Sequence, residues 1–344
     1  MNRPMNDSLK LAMTELLDDH RLSAEIMKSA VGAIMDGQCQ EAEIAAFLTA
    51  LRCRGESVGE LVGAARAMRE RATPIRCQTS GLLDTCGTGG DLLHTFNIST
   101  AAALVAAAAG QPVAKHGNRG ATSTTGSADV LESLGVNLQL TAEQVGRCID
   151  EVGIGFCFAP LLHGAMKYVA PVRKQLGFRT IFNLLGPLTN PAGATYQVIG
   201  ATRTNVAEML AQALHQLGNQ RALVVCGNNE LDEVSLWGDT AVFAVSTEGV
   251  NRHTWNAEML GLAECHVDAL RVDGAVQSAA VIRRVLSGEQ GPAYNMVVAN
   301  AAAALFAANR AESIQAAVPL AKSAIDTGAT SALCERLKLW TNHP

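Results

Sequence analysis

The sequence predicts an α/β fold, with a small all-helical N-terminal unit followed by a larger region built on a mostly parallel sheet. Helical periodicity extends from Asp7 to about Arg71, and no strand pattern interrupts it. Beyond Pro74, short apolar runs alternate with helical stretches, as they do in βαβ units. Only 4% of the residues are aromatic although 48% are hydrophobic, so Ala, Leu and Val must form much of the core.

Glycines and a capping box delimit the helices of the N-terminal unit. Gly37 and Gly55 each end a helix, since glycine readily adopts the backbone conformation found at helix C-termini. Ser57 and Glu60 have the spacing of a capping box, which predicts the start of the next helix. We therefore place a small helical domain at residues 1–76.

The larger α/β domain, residues 77–344, contains four short apolar runs that we interpret as strands: Pro112–Ala114, Gly155–Ala159, Gln197–Ala201 and Ala222–Cys226. Apolar spacing predicts helices at Ala142–Val152, Gly164–Arg179 (broken by Pro171), Asn205–Leu217, Ala275–Leu286, Asn295–Ala308 and Ser313–Thr327. Strands that alternate with helices in this way favour a central sheet that is mostly parallel and flanked by helices.

Charge, cysteine spacing and hydropathy exclude several classes of protein. The net charge of −5 argues against a general nucleic-acid binder, which usually carries a basic excess. None of the nine cysteines lies within eight residues of another, so there is no CxxC metal or redox motif. No apolar run reaches membrane-spanning length, and the N-terminus is charged. We expect a soluble, cytoplasmic protein with reduced thiols and no nucleic-acid or membrane partner.

The first of two glycine-rich turns, Gly87-Thr88-Gly89-Gly90-Asp91, precedes an alanine-rich helix. Glycine lets backbone N–H groups converge on an anion. Ser99 or Thr100 is the expected N-cap of the helix, whose N-terminus carries unpaired N–H groups. The spacing is neither a Walker A loop nor a Rossmann fingerprint. An ordinary capped helix after a tight turn is the alternative interpretation.

The second turn, Gly117-Asn118-Arg119-Gly120, follows Lys115 and precedes a stretch rich in hydroxyl groups. Lys115 and Arg119 are suited to binding phosphate or diphosphate through charge-assisted hydrogen bonds. Ser127 is the expected cap of a helix at Ala128–Leu134. By itself this segment is also consistent with a solvated basic loop. The two turns together predict a pocket for a polyanionic, phosphate-bearing substrate.

Asp232 and Glu233 are adjacent carboxylates in a Gly/Asn-rich stretch that follows an apolar run. Two carboxylates on a loop can both reach a hydrated Mg²⁺ that also contacts substrate phosphates. Such a pair is most often only solvated surface. The prediction of a magnesium site therefore depends on the phosphate pocket.

A further polar segment contains His163, Arg173 and the run Arg179–Pro191. A lone histidine or arginine on a helix is usually structural or solvated. An arginine beside a pocket, however, offers a planar fork that matches a carboxylate.

Together these segments resemble the anthranilate phosphoribosyltransferases of tryptophan biosynthesis. The residues that carry the resemblance are Gly87–Asp91, Asn97–Thr100, Lys115–Arg119, Gly126–Glu132 and Arg179–Pro191. The resemblance implies a glycosyltransferase that joins anthranilate to 5-phosphoribosyl 1-diphosphate (PRPP), releasing diphosphate with the help of Mg²⁺. It also implies that the small domain is hinged to the larger one, includes helices from about residues 164–190, and forms a homodimer.

The resemblance also assigns the site residues. The PRPP site would be lined by Gly87, Gly90, Asp91, Thr95, Asn97, Ile98, Ser99, Thr100, Lys115, His116, Gly117, Asn118, Arg119, Gly120, Ala121, Thr122, Ser123 and Ser127. Anthranilate would be contacted by Gly87, Asn118, His163 and Arg173, with Arg173 holding its carboxylate. Ser99, Asp232 and Glu233 would hold Mg²⁺. No residue is assigned as a general acid or base.

Three positions depart from the family pattern. The segment around Thr124 lacks a lysine, Gly164 follows His163 in place of a proline, and Tyr294-Asn295 replaces Arg-Asp. We expect the first departure to loosen diphosphate contacts and the other two to be structural. The alternatives are a pyrimidine nucleoside phosphorylase-like enzyme and a non-catalytic, nucleic-acid-binding relative of the same fold. The acidic composition and the intact site motifs count against the second.

Overall fold

Four helices form the N-terminal part of the computed structural model, which describes residues 4–120 and 125–344. They are α1 (Asp7–Leu17), α2 (Ala24–Met35), α3 (Glu41–Arg54) and α4 (Val58–Arg71). The capping box at the start of α4 is confirmed, since the Glu60 N–H donates to Ser57 Oγ and the Ser57 N–H donates to Glu60 Oε2 at 2.7 Å. Gly55 ends α3 with φ +77°, as its sequence position predicts.

Seven strands form one sheet in the described residues: β1 (Leu83–Gly87), β2 (Val113–Gly117), β3 (Ile154–Phe158), β4 (Tyr196–Gly200), β5 (Arg221–Gly227), β6 (Thr240–Ser246) and β7 (Gly249–Trp255). Their order is β3-β2-β1-β4-β5-β6-β7. Strands β1 to β5 pair in parallel, and β6 and β7 add an antiparallel hairpin. The chain moves outwards from β1 in both directions, so the boundary between β1 and β4 is a topological switch point. Ligands of α/β proteins bind beyond the strand ends at such a point.

Helices cover both faces of this sheet. They are α5 (Ile98–Ala108), α6 (Ser127–Ser133), α7 (Ala142–Val152), α8 (Ala159–Leu162), α9 (Ala170–Leu176), α10 (Phe182–Leu185), α11 (Thr204–Gln216), α12 (Ala257–Leu260), α13 (Ala275–Leu286), α14 (Pro292–Ala307), α15 (Ile314–Asp326) and α16 (Ala329–Asn342). Successive side chains of each strand enter opposite cores: Val198 joins the cluster that contains α5 and α14, and Ile199 joins the one that contains α11 and the N-terminal helices. Both faces of the parallel strands are therefore apolar, as expected for a covered sheet.

The segment that connects β3 to β4 packs against the N-terminal helices. Val169, Val172, Ile181 and Phe182 are buried in the same apolar cluster as residues of α1 to α4. Pro171 lies in the first turn of α9, where its missing N–H removes no helical hydrogen bond. The predicted break near this proline is confirmed to within two residues: a 3₁₀ helix at Gly164–Tyr168 ends before it, and α9 begins at Ala170.

Several elements were not predicted from the sequence. Strand β1 carries the buried polar residues Asp84 and Thr85, so it lacks a continuous apolar run. Strand β7 is an edge strand whose central residues are exposed. An exposed edge strand needs no alternating apolar residues, so its sequence lacks the pattern that predicts a strand. Helix α16 and strand β6 were also missed. In the described ranges, no helix has both the length and the apolar character needed to cross a bilayer.

Candidate active site

One cavity of about 270 Å³ lies at the edge of the sheet where the parallel strands end. It is lined by Cys86, Gly87, Thr88, Gly89, Gly90, Asp91, Thr95, Phe96, Asn97, Ile98, Ser99, Lys115, His116, Gly117, Asn118, Arg119, Gly120, Thr125, Gly126, Ser127, Asn183, Asp232 and Glu233. Both glycine turns and the dicarboxylate thus share one space. A larger cavity of about 390 Å³ between α4 and the start of β4 contains none of the predicted site residues.

Backbone geometry explains the glycines of the first turn. A side chain at Gly87 would bring its Cβ within 2.3 Å of Asp232 Oδ2, so only glycine allows this carboxylate to approach. Gly89 and Gly90 have φ values of +62° and +82°, a region that glycine enters without steric cost. The Gly89 N–H donates to Asp232 Oδ2 at 2.8 Å. The turn is therefore folded around the first carboxylate of the pair.

The start of α5 differs from the prediction. Asn97, rather than Ser99 or Thr100, occupies the N-cap position. The Ser99 N–H donates to Glu233 Oε1 at 3.0 Å. The carboxylate of a distant residue therefore accepts a bond from a helix-end N–H group that a local N-cap side chain would otherwise accept. Thr100 is buried and does not line the cavity. Sequence spacing alone has no signal for a cap that comes from elsewhere in the chain.

Three carboxylates crowd one wall of the cavity. Burial and the negative charge of Asp91 raise the pKa of Asp232 to about 7. Burial and the charge of Asp232 raise the pKa of Glu233 well above its ordinary value, and burial also raises the pKa of Asp91. Carboxylates held this close favour the binding of a cation, which would relieve their mutual repulsion.

Lys115 is a buried cation beside the carboxylates. Its Nζ donates to the carbonyl oxygen of Thr85, and lies 3.4 Å from Ser99 Oγ. Burial lowers the pKa of Lys115, while the charges of Asp84 and Glu233 oppose this effect. Asp84 is fully buried, and its carboxylate accepts the His116 N–H at 3.0 Å. An anion in the cavity would therefore meet a lysine whose position is fixed by the ends of β1 and β2.

Arg119 in the second turn is engaged by acidic partners of α6. Its guanidinium pairs with Glu132 and with Asp129, the latter at 3.1 Å, and these hydrogen-bonded charges raise the pKa of Arg119. Asp129 also accepts the N–H groups of Gly120 and Gly126, each at 2.9 Å. Arg119 thus stabilises the loop, with part of its charge already balanced. Ser127 is the first residue of α6, and the expected cap at Ser127 is wrong because Gly126 occupies that position.

The residues Ala121, Thr122, Ser123 and Thr124 lie outside the described part of the chain. The predicted PRPP contacts of the first three, and the departure noted near Thr124, remain predictions.

His116 lines the cavity and forms a buried pair with His163, which does not line it; their Nε2 atoms are 3.2 Å apart. Burial lowers the pKa of His116 to about 4 and that of His163 to about 3, so both rings are neutral near pH 7. His116 Nδ1 lies 3.1 Å from the Gly186 carbonyl oxygen and must carry the proton there. His163 Nε2–H is then the donor to His116 Nε2. Neither ring has a free proton for general-acid chemistry.

Arg173 lies outside the cavity lining, on α9, and its guanidinium is 5.9 Å from the ring centre of Phe182. Burial and the neighbouring charge of Arg179 lower the pKa of Arg173. Within residues 4–120 and 125–344, no carboxylate pairs with it. Arg179, to which the sequence patterns assigned no individual role, donates to the carbonyl oxygens of Thr88 and Gly89. Asn183 lines the cavity and was also missed.

Comparisons with known proteins agree along almost the whole chain. The model of a glycosyl transferase family helical bundle domain matches residues 10–72, and that of the a/b domain matches residues 79–331. Relatives named anthranilate phosphoribosyltransferase from Trichlorobacter lovleyi and Symbiobacterium thermophilum are 47% and 48% identical. Each alignment covers 97% of this chain, and 100% and 98% of the relative.

Solved structures give the same result. The anthranilate phosphoribosyltransferase of Thermus thermophilus is 42% identical, with a TM-score of 0.91 over 98% of this chain and 100% of its own. The Saccharomyces cerevisiae enzyme in complex with PRPP and Mg is 26% identical, with a TM-score of 0.90 over 98% of both chains.

The fold and the site define a glycosyl transferase built from a helical bundle and a larger α/β domain. The chain belongs to this glycosyl transferase family and, within it, to the anthranilate phosphoribosyltransferases.

Proposed function

We propose that this protein transfers the 5-phosphoribosyl group of PRPP to the amine of anthranilate and releases diphosphate, a step of tryptophan biosynthesis. The observation that carries the proposal is the convergence of two glycine turns, Lys115 and the Asp232-Glu233 pair on one cavity in a chain 47% identical to named transferases over nearly its full length. The relatives support this activity and not the nucleoside phosphorylase alternative.

Under this proposal PRPP occupies the cavity, with its phosphates near the first turn and the N-terminus of α5. Helix-end and turn N–H groups bind phosphate without much protein charge. The buried ammonium of Lys115 would stabilise the negative charge that develops on diphosphate as it leaves the anomeric carbon. Preorganised contacts of this kind contribute roughly 10²–10³ in rate each.

The carboxylate wall fits a magnesium ion. Asp232 and Glu233, whose pKa values are raised by burial and by neighbouring negative charge, would hold it with Ser99 close by. Among the described residues, the three carboxylates of this wall do not form a cluster able to hold a metal by themselves, and Mg²⁺ in proteins usually keeps several waters and binds substrate phosphates as well. When bound, Mg²⁺ would supply charge that stabilises the leaving diphosphate.

Anthranilate would bind between the second turn and α9. Arg173, which has no carboxylate partner among the described residues, would pair with the substrate carboxylate, and Asn118 and Gly87 would contact the ring or amine. His163 would lie beside its path. The anthranilate amine is neutral and nucleophilic near pH 7, so the reaction needs no general base, in keeping with the neutral, mutually bonded histidines.

We also propose that the helical domain comprises residues 1–76 and about 164–190, and that it forms a homodimer contact. Exposed Leu11 and Leu17 on α1, 50% and 76% accessible, support a contact on this side. All nine cysteines are free thiols, which supports a reducing, cytoplasmic location. Light scattering of the purified protein tests the dimer, and a monomeric mass would contradict it.

The activity is tested by anthranilate fluorescence. When purified protein is mixed with anthranilate, PRPP and Mg²⁺, the fluorescence of anthranilate should fall as it is converted. Omission of PRPP should prevent this fall. Incubation with thymidine and phosphate should yield no thymine. Release of thymine, with stable anthranilate fluorescence, would overturn the proposal in favour of the phosphorylase.

A further inference from the structure

Arg179, which lies outside the cavity lining, hydrogen-bonds to two carbonyl groups of the first glycine turn. Arg179 Nη1 donates to the Gly89 carbonyl oxygen at 2.8 Å, and Nη2 donates to the Thr88 carbonyl oxygen at 3.0 Å. Arg179 is half-buried and does not line the cavity. Two parallel bonds from a planar guanidinium fix the direction of both carbonyls, which a single donor cannot do.

These two bonds determine where the N–H groups of the turn point. In a trans peptide the C=O and N–H point in opposite directions. In the peptide between Thr88 and Gly89, the Thr88 C=O accepts from Arg179, and the Gly89 N–H donates to Asp232 Oδ2 at 2.8 Å. The peptide between Gly89 and Gly90 also has its C=O on Arg179, so the Gly90 N–H points away from the arginine.

The Gly90 N–H is available to a ligand. Gly90 lines the cavity, and no acceptor in the described residues takes its N–H. Gly89 and Gly90 have φ values of +62° and +82°, and glycine occupies either sign of φ at similar cost. The peptide plane between them is therefore free to rotate unless another group restrains it.

We propose that Arg179 is a positioning residue for the phosphoribosyl donor, holding the Gly87–Asp91 turn so that the Gly90 N–H faces the donor phosphates. The inference rests on the proposed function, because it takes PRPP as the ligand of the turn. Arg179 reaches the turn from the segment that packs on the N-terminal helices, between Gly177, which ends α9, and Thr180, whose N–H donates to Asn183 Oδ1 at 2.9 Å. The hydrogen bonds of Arg179 thus connect the Gly87–Asp91 turn to the segment that carries Arg173.

The test compares Arg179→Ala, Arg179→Lys and the surface control Arg147→Ala, whose guanidinium pairs with exposed Glu151. The dissociation constant of PRPP is measured by calorimetry with Mg²⁺ present, and the KM of each substrate is measured separately. Loss of two oriented bonds should weaken PRPP binding by about tenfold or more in Arg179→Ala. The KM of anthranilate at saturating PRPP should stay within about twofold, and Arg147→Ala should match the wild type.

Arg179→Lys keeps the charge but loses the fork, and should recover less than half of the lost binding free energy. Full recovery by lysine, or unchanged PRPP affinity in Arg179→Ala, would overturn the proposal. Equal loss for both substrates would also overturn it. If Arg179→Ala does not fold, as judged by circular dichroism, the lysine variant decides. Wild-type protein that binds no PRPP contradicts the proposed function itself, so the two failures are distinguishable.

Discussion

At the residue scale, like charges lie close together among the cavity carboxylates and between two arginines outside the cavity lining, and the protein balances them only in part. Burial and the charge of Asp91 raise the pKa of Asp232, and burial and the charge of Asp232 raise that of Glu233, although Lys115 opposes the second shift. Burial and the charge of Arg179 lower the pKa of Arg173, which lies outside the cavity lining. Holding like charges together is unfavourable unless an opposite charge arrives. A cation bound by Asp232 and Glu233, and a carboxylate bound by Arg173, would each relieve this cost.

Arg173→Ala tests the acceptor side. Loss of a charge-assisted hydrogen-bonded pair should raise the KM of anthranilate by roughly 10–100-fold, with less than about threefold change in the KM of PRPP. Steady-state kinetics with each substrate varied in turn measure both constants. Equal damage to both would remove Arg173 from the anthranilate site.

Asp232→Asn with Glu233→Gln tests the magnesium site. The double variant should need at least about tenfold more Mg²⁺ for half-maximal activity. Without metal it should melt at a higher temperature than the wild type at pH 8, because the amides remove both the cost of burying the two charges and the repulsion from neighbouring carboxylates, which raise the two pKa values. Asp239→Asn, an exposed carboxylate in the same region, is the control. An unchanged metal titration would exclude the pair as ligands.

At the element scale, the middle of α14 and the end of β4 fix the dicarboxylate. The Val234 N–H, next to the pair, donates to Asn300 Oδ1 of α14 at 2.8 Å, and Asn300 Nδ2 donates back to the Val234 carbonyl at 3.1 Å. Gly200, the last residue of β4, lies against the Asp232 backbone, where a Cβ would come within 1.6 Å of its carbonyl oxygen. The loop is therefore held by the side-chain amide of Asn300 and by close backbone packing against Gly200.

Gly200→Ala should displace Asp232, because a contact of 1.6 Å to a carbonyl oxygen cannot be relieved by turning a side chain. We expect a loss of kcat/KM of at least about tenfold and a weaker response to Mg²⁺. Gly164→Ala is the matched control, since a Cβ there meets nothing within 4 Å and Gly164 has no positive φ. Wild-type kinetics in Gly200→Ala would show that this contact does not position the carboxylate.

At the scale of the whole molecule, one buried histidine pair joins the sheet to the segment that packs on the N-terminal helices. His116 lies on β2, and His163 follows α8. Both pKa values lie below the ordinary 6.5, at about 4 and about 3, because burial disfavours the charged rings. The folded state therefore excludes protons that the unfolded chain binds below about pH 6.5.

This pair should make the free energy of unfolding fall as the pH falls from about 6.5 towards 4. One pKa unit corresponds to about 1.4 kcal/mol, so the contribution of His116 reaches up to about 3 kcal/mol at pH 4. His163→Gln should show a shallower decline in urea unfolding between pH 7 and pH 4, whereas the exposed His253→Gln should follow the wild type. Identical slopes in all three proteins would contradict the neutral burial of the pair.

The sequence determined the class of fold and the identity of the chemical groups. Helical spacing and the Ser57–Glu60 box locate helices because their causes are local, within one or two turns. The glycine turns, Lys115 and Asp232-Glu233 could be singled out because together they suit phosphate and Mg²⁺, although each alone also fits an ordinary turn, loop or surface. The resemblance to the family then placed them in one site.

Only the tertiary structure decided how those groups are held. The bond from the Ser99 N–H to Glu233 and the bonds from Arg179 to Thr88 and Gly89 join residues about 90 or more positions apart, and the pairing of Arg119 with Glu132 spans a loop and a helix turn. Local propensity carries no signal for such pairs, because their energies depend on distances that exist only after the sheet has aligned the strand ends. Most residues of the site could thus be predicted from the sequence, whereas the hydrogen-bond and ion-pair partners that position them could not.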